Sequence, residues 1–310
     1  MREKIAISIG DLNGIGIELI IKNHHRICKI CQPIYCINDT MLNRATTLLQ
    51  SNLPKNMKLH QTKGKFAIKP GKISKKSGLY SYHSFYDAVQ LCTQKEVSAM
   101  VTLPIHKKAW EKAAIHYVGH TDALRDIFDK HAIMMLGCKK LFVALYTEHI
   151  ALKKVPAQIK KSKLLSFLLD FYNCVHYDKI GVLGLNPHAS DNGVLGNEEL
   201  DIHAAIQDAN KILGKNIFEG PLVPDIAFTP NVRKEYKYLV AMYHDQGLAP
   251  LKALYFDESI NVSLNLPIVR TSVDHGTAFN LAYQNSSQLS SKSYINAVQE
   301  AITLCQNTVN

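Results

Sequence analysis

His120, His149, His188 and His244 lie in VGHTD, YTEHI, NPHASDNG and YHDQG, each beside Asp, Glu, Asn or Thr. Three of them directly follow apolar runs: LFVALYTEH, IGVLGLNPH and YLVAMYHDQG. A single histidine of this kind is more often a hydrogen-bonded structural residue than a ligand. Four at matching junctions point to a shared site. Three imidazoles suit a borderline divalent ion such as zinc, cobalt or manganese, which polarises an oxygen. The spacing is not HExxH, so the fold must assemble the set. Two cations add a second theme. Lys252 closes AMYHDQGLAPLK, and Arg270 lies in NVSLNLPIVRTSVDHGTA after an apolar run. A guanidinium can fork onto a phosphate or carboxylate, although an ordinary surface ion pair is the plainer reading. Asp274, His275, Gly276 and Thr277 of DHGTA read as a turn that opens a helix and grips a polar ligand.

Such side chains need strands that end together. IAISIG, AMVTLP, LFVAL, IGVLGL, DIAFTP and YLVAM are short, rich in Val, Ile and Leu, and bounded by breakers, which predicts buried strands. Helical patterns cover 17–28, 81–96, 160–173 and 198–213. Strand alternating with helix predicts a parallel α/β sheet, whose ligand sites lie beyond the strands' carboxyl ends. The chain of 310 residues is long for one such domain, so two α/β/α domains around a cleft are expected. Gly10, Gly14 and Gly16 follow a strand and open a helix, where backbone N–H groups meet anions. Their spacing matches neither GxGxxG nor a phosphate loop, and a tight turn explains them equally well.

The formal charge of +10 suits an anionic small substrate or a nucleic acid. The densest basic stretch, KGKFAIKPGKISKKSG (63–78), carries one aromatic and no recognition-helix pattern, so it reads as a solvated loop and no nucleic-acid partner is expected. No run reaches membrane-span length, and MREK passes directly into a strand, predicting a cytoplasmic protein without a membrane partner. Cys28 and Cys31 form a CxxC near Cys36, but no second pair follows at zinc-finger spacing, so the seven cysteines read as free thiols.

GDLNGIGIE, GHTD, NPHASDNGVLGNEE, YHDQGLAPLK and LPIVRTSVDHGTAFNLA together resemble the motif series of the 4-hydroxythreonine-4-phosphate dehydrogenase family, in family order from residue 10 to about 282. The resemblance implies an isocitrate/isopropylmalate dehydrogenase-like fold that binds NAD or NADP without the Rossmann fingerprint. It implies one divalent ion (zinc, cobalt, magnesium or manganese) on His149, His188 and His244. His120, Thr121, Lys252, Asn261 and Arg270 match substrate-contacting positions, and Asp274–Thr277 match the dinucleotide loop. Lys252 and Asp245 are the expected catalytic pair, with Asp245 or Asp225 orienting a ligand histidine. A homodimer with its active site at the interface is implied. So is a discontinuous dinucleotide-binding domain of 1–115 and 252–310 around a metal-binding and dimerisation domain of 116–251. The reaction implied is oxidation of the C3 hydroxyl of 4-phosphooxy-L-threonine, then decarboxylation to 3-amino-2-oxopropyl phosphate, in pyridoxal 5'-phosphate biosynthesis. A dehydrogenase of another four-carbon hydroxy-acid phosphate and a histidine-metal phosphate-ester hydrolase are the alternatives. Leu12, Asn13 and Ile17 depart from the family's usual GDPAGIGPE, and Ser190 and Asn265 stand where glycine is usual.

Overall fold

A computed structural model describes residues 2–307. The chain divides into two compact units, Met1–Ala132 with Ile260–Asn310, and Ile133–Ser259. The first begins with β1 (Lys4–Ser8), α1 (Gly16–Ile30), β2 (Gln32–Cys36), α2 (Asp39–Leu48), β3 (Lys58–His60) and α3 (Lys75–Thr93). It continues through β4 (Ala99–Thr102), α4 (Lys107–Lys112) and α5 (His120–Phe128). The second holds β5 (Ile133–Cys138), β6 (Leu141–Leu145), α6 (Val155–Gln158), α7 (Lys161–Val175) and β7 (Ile180–Leu183). Then come α8 (Glu198–Leu213), β8 (Phe218–Leu222), α9 (Pro230–Glu235), β9 (Tyr238–Ala241) and α10 (His244–Tyr255). The chain returns to the first unit with β10 (Ile260–Leu264), β11 (Val269–Val273) and α11 (Lys292–Asn307).

In the first unit the strand order is β3-β2-β1-β4-β11-β10, all parallel except β10, which runs against β11. In the second it is β5-β6-β9-β7-β8, with only β5 reversed. The inner strands are buried along almost their whole length, which explains their unbroken apolar sequences. Helix starts are marked locally: Asn38 Oδ1 accepts the Met41 N–H at 2.9 Å and Ser74 Oγ that of Ser77 at 3.0 Å, capping α2 and α3. None of the seven cysteines forms a disulfide.

The unit boundaries fall at 132/133 and 259/260 rather than at 115/116 and 251/252. Packing is the reason. Ala123 and Leu124 of α5 join Phe85, Ala88 and Trp110 in the first core, and Leu248 and Leu251 of α10 join Leu141, Val143 and Leu239 in the second. Two local expectations also fail. DIAFTP is a turn, not a strand, because the Ile226 and Ala227 N–H groups both bond back to the Val223 carbonyl at 3.2 and 3.1 Å. DHGTA opens no helix: bends and turns follow it, and the next helix is α11.

Asp11 is fully buried, and burial lifts its pKa from 3.8 to about 6 despite bonds from the Asn13 N–H and the Ser77 hydroxyl. A carboxyl protonated more readily folded than unfolded weakens the fold as pH rises through that window. Asp11→Asn should therefore gain in Tm relative to wild type between about pH 4 and pH 7. A pH-independent gap in thermal melts would show that Asp11 titrates normally.

Candidate active site

His149 and His244 come together inside the second unit. They follow β6 and β9, which pair in parallel with Leu145 opposite Ala241. Beyond the ladder, the Tyr146 N–H donates to the Ala241 carbonyl at 2.9 Å, and the Thr147 hydroxyl donates to the Met242 carbonyl at 2.6 Å. The two loops are thus tied in register, and the imidazole centroids stand 5.6 Å apart. Asp245 Oδ1 lies 2.7 Å from His244 Nδ1. A proton on Nδ1 in that bond leaves Nε2 as a free lone pair, the orientation a metal-binding histidine needs. Asp225 makes no comparable contact with any of the three histidines among the described residues.

His188 stands apart from this pair. It opens a run, His188 to Asn192, in which five consecutive non-glycine residues have φ between 45° and 75°. Such backbone is costly and persists only where its surroundings hold it. Here Glu199 does so: its Oε1 accepts the Leu185 and Asn186 N–H groups at 2.8 and 2.7 Å, and its Oε2 accepts the Asn186 amide at 2.8 Å. The Ser190 hydroxyl donates to the Gly196 carbonyl, so the serine at this departure position braces the loop. Gln246 accepts the Met242 N–H at 2.7 Å and donates to the Gly184 carbonyl at 2.6 Å, joining the His244 turn to the end of β7. Among the described residues of one chain, no three His, Cys, Asp or Glu side chains converge as a metal site. The imidazole pair offers two nitrogen donors of the kind a divalent ion takes.

Lys252 lies on α10, about two turns beyond His244, rather than after a strand, with its ammonium 5.9 Å from the Phe256 ring centroid. Gly247 lets this helix approach the sheet: an added Cβ would stand 2.6 Å from Val143 Cγ1 and 2.9 Å from Ala241 Cβ. Gly247→Ala should overpack the contact between α10 and the sheet and lower the Tm. Thermal melts check this, and an unchanged Tm would refute it.

The first unit holds the other cluster. Arg270 lies within β11, not after it, and is only 3% exposed. Its Nε and Nη2 donate to Thr102 Oγ1 at 3.2 and 2.7 Å, and Nη2 also donates to His120 Nδ1 at 3.1 Å. Nη1 donates to Asn261 Oδ1 at 3.2 Å and to Ser263 Oγ at 3.0 Å. Every N–H of the fork is thereby engaged, always by a neutral acceptor. Among the described residues Arg270 belongs to no ion pair. Burial alone draws its pKa down to about 9, which still leaves it charged at neutral pH. A buried cation without a counter-charge is costly, and an arriving anion would neutralise it. Burial first, then the adjacent guanidinium, holds His120 well below the usual histidine range, so it is neutral. Thr121 reaches the cluster through Ser263, 3.0 Å from its hydroxyl. His120, Thr121, Asn261 and Arg270 are thus brought together. Thr102 and Ser263 are absent from the sequence-based expectation; their only sequence signal is a polar residue in a mostly apolar strand, alone in β4 and beside Asn261 in β10.

Loops at the carboxyl ends of β1, β4 and β11 meet beside this cluster. The Asp11 N–H donates to the Pro104 carbonyl at 2.9 Å, and the Ile15 N–H donates to the Thr277 carbonyl at 3.1 Å. Gly14 permits the second contact, since a Cβ there would come within 2.8 Å of that carbonyl oxygen. The His106 and Phe279 rings stack at 4.9 Å, and the Asp274 N–H donates to Ser293 Oγ at 3.1 Å. His275 Nε2 and His106 Nδ1 are buried without partners. Gly276 is exposed with open space about it. Orphaned ring nitrogens beside an open loop suit a polar ligand such as a dinucleotide. The basic stretch is no free loop either. Asn13 pins it, accepting the Lys69 N–H at 2.9 Å and donating to the Lys72 carbonyl at 2.6 Å.

Residues 29–301 match the family described as pyridoxal phosphate biosynthetic protein PdxA. The chain belongs to the PdxA family. Its relatives there include the 4-hydroxythreonine-4-phosphate dehydrogenase of Sulfurimonas denitrificans, 60% identical over 97% of both chains. That of Campylobacter fetus subsp. fetus is 57% identical over 97% of this chain and 98% of its own. The crystal structure of 4-hydroxythreonine-4-phosphate dehydrogenase from Klebsiella pneumoniae is similar to this chain with a TM-score of 0.83 at 28% identity, over 98% of this chain and 100% of that one. The mixed α/β architecture is therefore that of the PdxA family. Among the described residues no helix is long and apolar enough to cross a membrane.

Proposed function

We propose that the chain oxidises the C3 hydroxyl of 4-phosphooxy-L-threonine, using NAD or NADP and one divalent ion, and releases carbon dioxide and 3-amino-2-oxopropyl phosphate. This is the 4-hydroxythreonine-4-phosphate dehydrogenase step of pyridoxal 5'-phosphate biosynthesis, carried out by a cytoplasmic homodimer. PdxA membership and the relatives' activity support the reaction class. The observation that carries the substrate class is Arg270, a buried cation with neutral partners on every N–H.

His149 and His244 would hold the ion together with His188 of the second copy in a two-fold dimer. Exposed apolar side chains follow both loops, Ile150 and Leu152 after His149, and Val194, Leu195 and Leu200 after His188, which supports a covering partner. When bound, the ion supplies Lewis acidity for loss of the C3 hydroxyl proton, and the nicotinamide supplies the hydride acceptor. Asp245 is a positioning residue that aims His244. Lys252 offers the substrate phosphate a point charge, while Arg270 supplies a fixed positive field beside Asn261, His120 and Thr121. Asp274–Thr277 would contact the dinucleotide. Oxidation leaves a ketone β to the carboxylate, from which carbon dioxide departs.

Incubation of the purified protein with NAD and 4-phosphooxy-L-threonine, with and without chelator, tests this reading. NADH and carbon dioxide should appear in equal amounts, and chelation should stop both. Inorganic phosphate without NADH would instead indicate a hydrolase.

A further inference from the structure

We propose that Thr102 and Ser263 are positioning residues that lock the Arg270 guanidinium and thereby fix His120 as the Nε2–H tautomer, a neutral donor aimed at the anionic substrate. The proposal rests on the reading that this cluster receives the substrate's anionic part. Sheet register builds the device. Thr102 ends β4 opposite Ser272, two residues beyond Arg270 and therefore on the same face of β11. Ser263 lies directly opposite Arg270 on β10, and Asn261, two residues before it, shares that face.

Thr102 Oγ1 accepts two bonds from one edge of the fork, Nε at 3.2 Å and Nη2 at 2.7 Å. Two bonds to one acceptor define the plane of a guanidinium better than either could alone. Ser263 holds the opposite edge through Nη1 at 3.0 Å and is itself 3.0 Å from the Thr121 hydroxyl. The second Nη2 proton is then directed at His120 Nδ1, 3.1 Å away. An arginine only donates, so Nδ1 must accept, and the single imidazole proton resides on Nε2. Phe85 and Trp110, with ring centroids 5.0 and 5.6 Å from His120, hold the ring in place. Nε2 is buried and has no hydrogen-bond partner among the described residues. His120 is 8% exposed, so this is a buried donor prepared for a ligand oxygen. His120 therefore binds and orients rather than shuttling a proton.

Thr102→Val keeps the side chain's shape and deletes both acceptor contacts, whereas Thr102→Ser keeps the oxygen. The valine variant should lose about tenfold or more in kcat/KM for 4-phosphooxy-L-threonine, the scale of one charge-assisted hydrogen bond. Its KM for NAD should stay within about twofold, and the serine variant should recover most of the loss. Independently, the 15N chemical shifts of His120 at neutral pH should report the Nε2–H tautomer in wild type and a mixture in Thr102→Val. An Nδ1–H tautomer in wild type would overturn the proposal. So would a valine variant with unchanged kcat/KM, a serine variant as impaired as valine, or a parallel rise in KM for NAD. If wild type leaves this substrate unchanged, the proposed function fails, whereas the tautomer measurement still decides the positioning device.

Discussion

His244→Ala should strip most of the divalent ion from the protein and lower activity by roughly a hundredfold or more, because a three-histidine site has no spare ligand. Its ring stands beside His149, held by loops tied through Tyr146 and Thr147. Asp245→Asn should cost less, roughly 10–100-fold in metal affinity, since it disturbs only the orientation of His244. His188→Ala should match His244→Ala despite its separate loop. Mixing the two inactive variants gives a sharper test. In a two-fold dimer whose sites combine His149 and His244 of one copy with His188 of the other, a mixed dimer regains one intact site. Random reassortment should then restore about a quarter of wild-type activity. Full metal content in His244→Ala, or no recovery on mixing subunits known to exchange, would contradict the shared site.

Arg270 carries the second large effect, and its two substitutions should separate charge from geometry. Arg270→Lys keeps a cation but offers three donors on a flexible stem where five N–H groups now engage Thr102, His120, Asn261 and Ser263. It should lose roughly a hundredfold or more in kcat/KM, through both kcat and KM, while KM for NAD is unchanged. Arg270→Met should be inactive yet melt near wild type, because it removes a buried charge that no carboxylate balances. Kinetics and thermal melts on both variants decide this. A methionine variant that unfolds early beside a lysine variant with normal turnover would make Arg270 a structural cation.

Much of this arrangement is legible from strand ends. β1, β4, β6, β7 and β9 announce themselves as apolar runs stopped by polar turns, and within each unit the parallel strands gather such ends on one edge. What escapes is register. Nothing in LFVALYTEH or YLVAMYHDQG shows that Leu145 faces Ala241, yet that pairing sets His149 beside His244. Thr102 and Ser263 are small polar residues in mostly apolar strands, and only the pairing of β4, β11 and β10 turns them toward Arg270. DIAFTP misleads for another reason. Its composition suits a strand, but the turn bonding back to Val223 uses the same N–H groups a ladder would need. The unit boundaries likewise follow which core α5 and α10 pack into, a choice made by tertiary contacts rather than by linker composition.

The most direct measurement is NADH formation by wild-type protein, loaded with a divalent ion, on 4-phosphooxy-L-threonine and on unphosphorylated 4-hydroxy-L-threonine. The unbalanced buried charge of Arg270 predicts rapid NADH formation with the phosphate ester and a kcat/KM lower by roughly a thousandfold without the phosphate. Equal rates on both compounds, or no NADH from the phosphate ester, would contradict it.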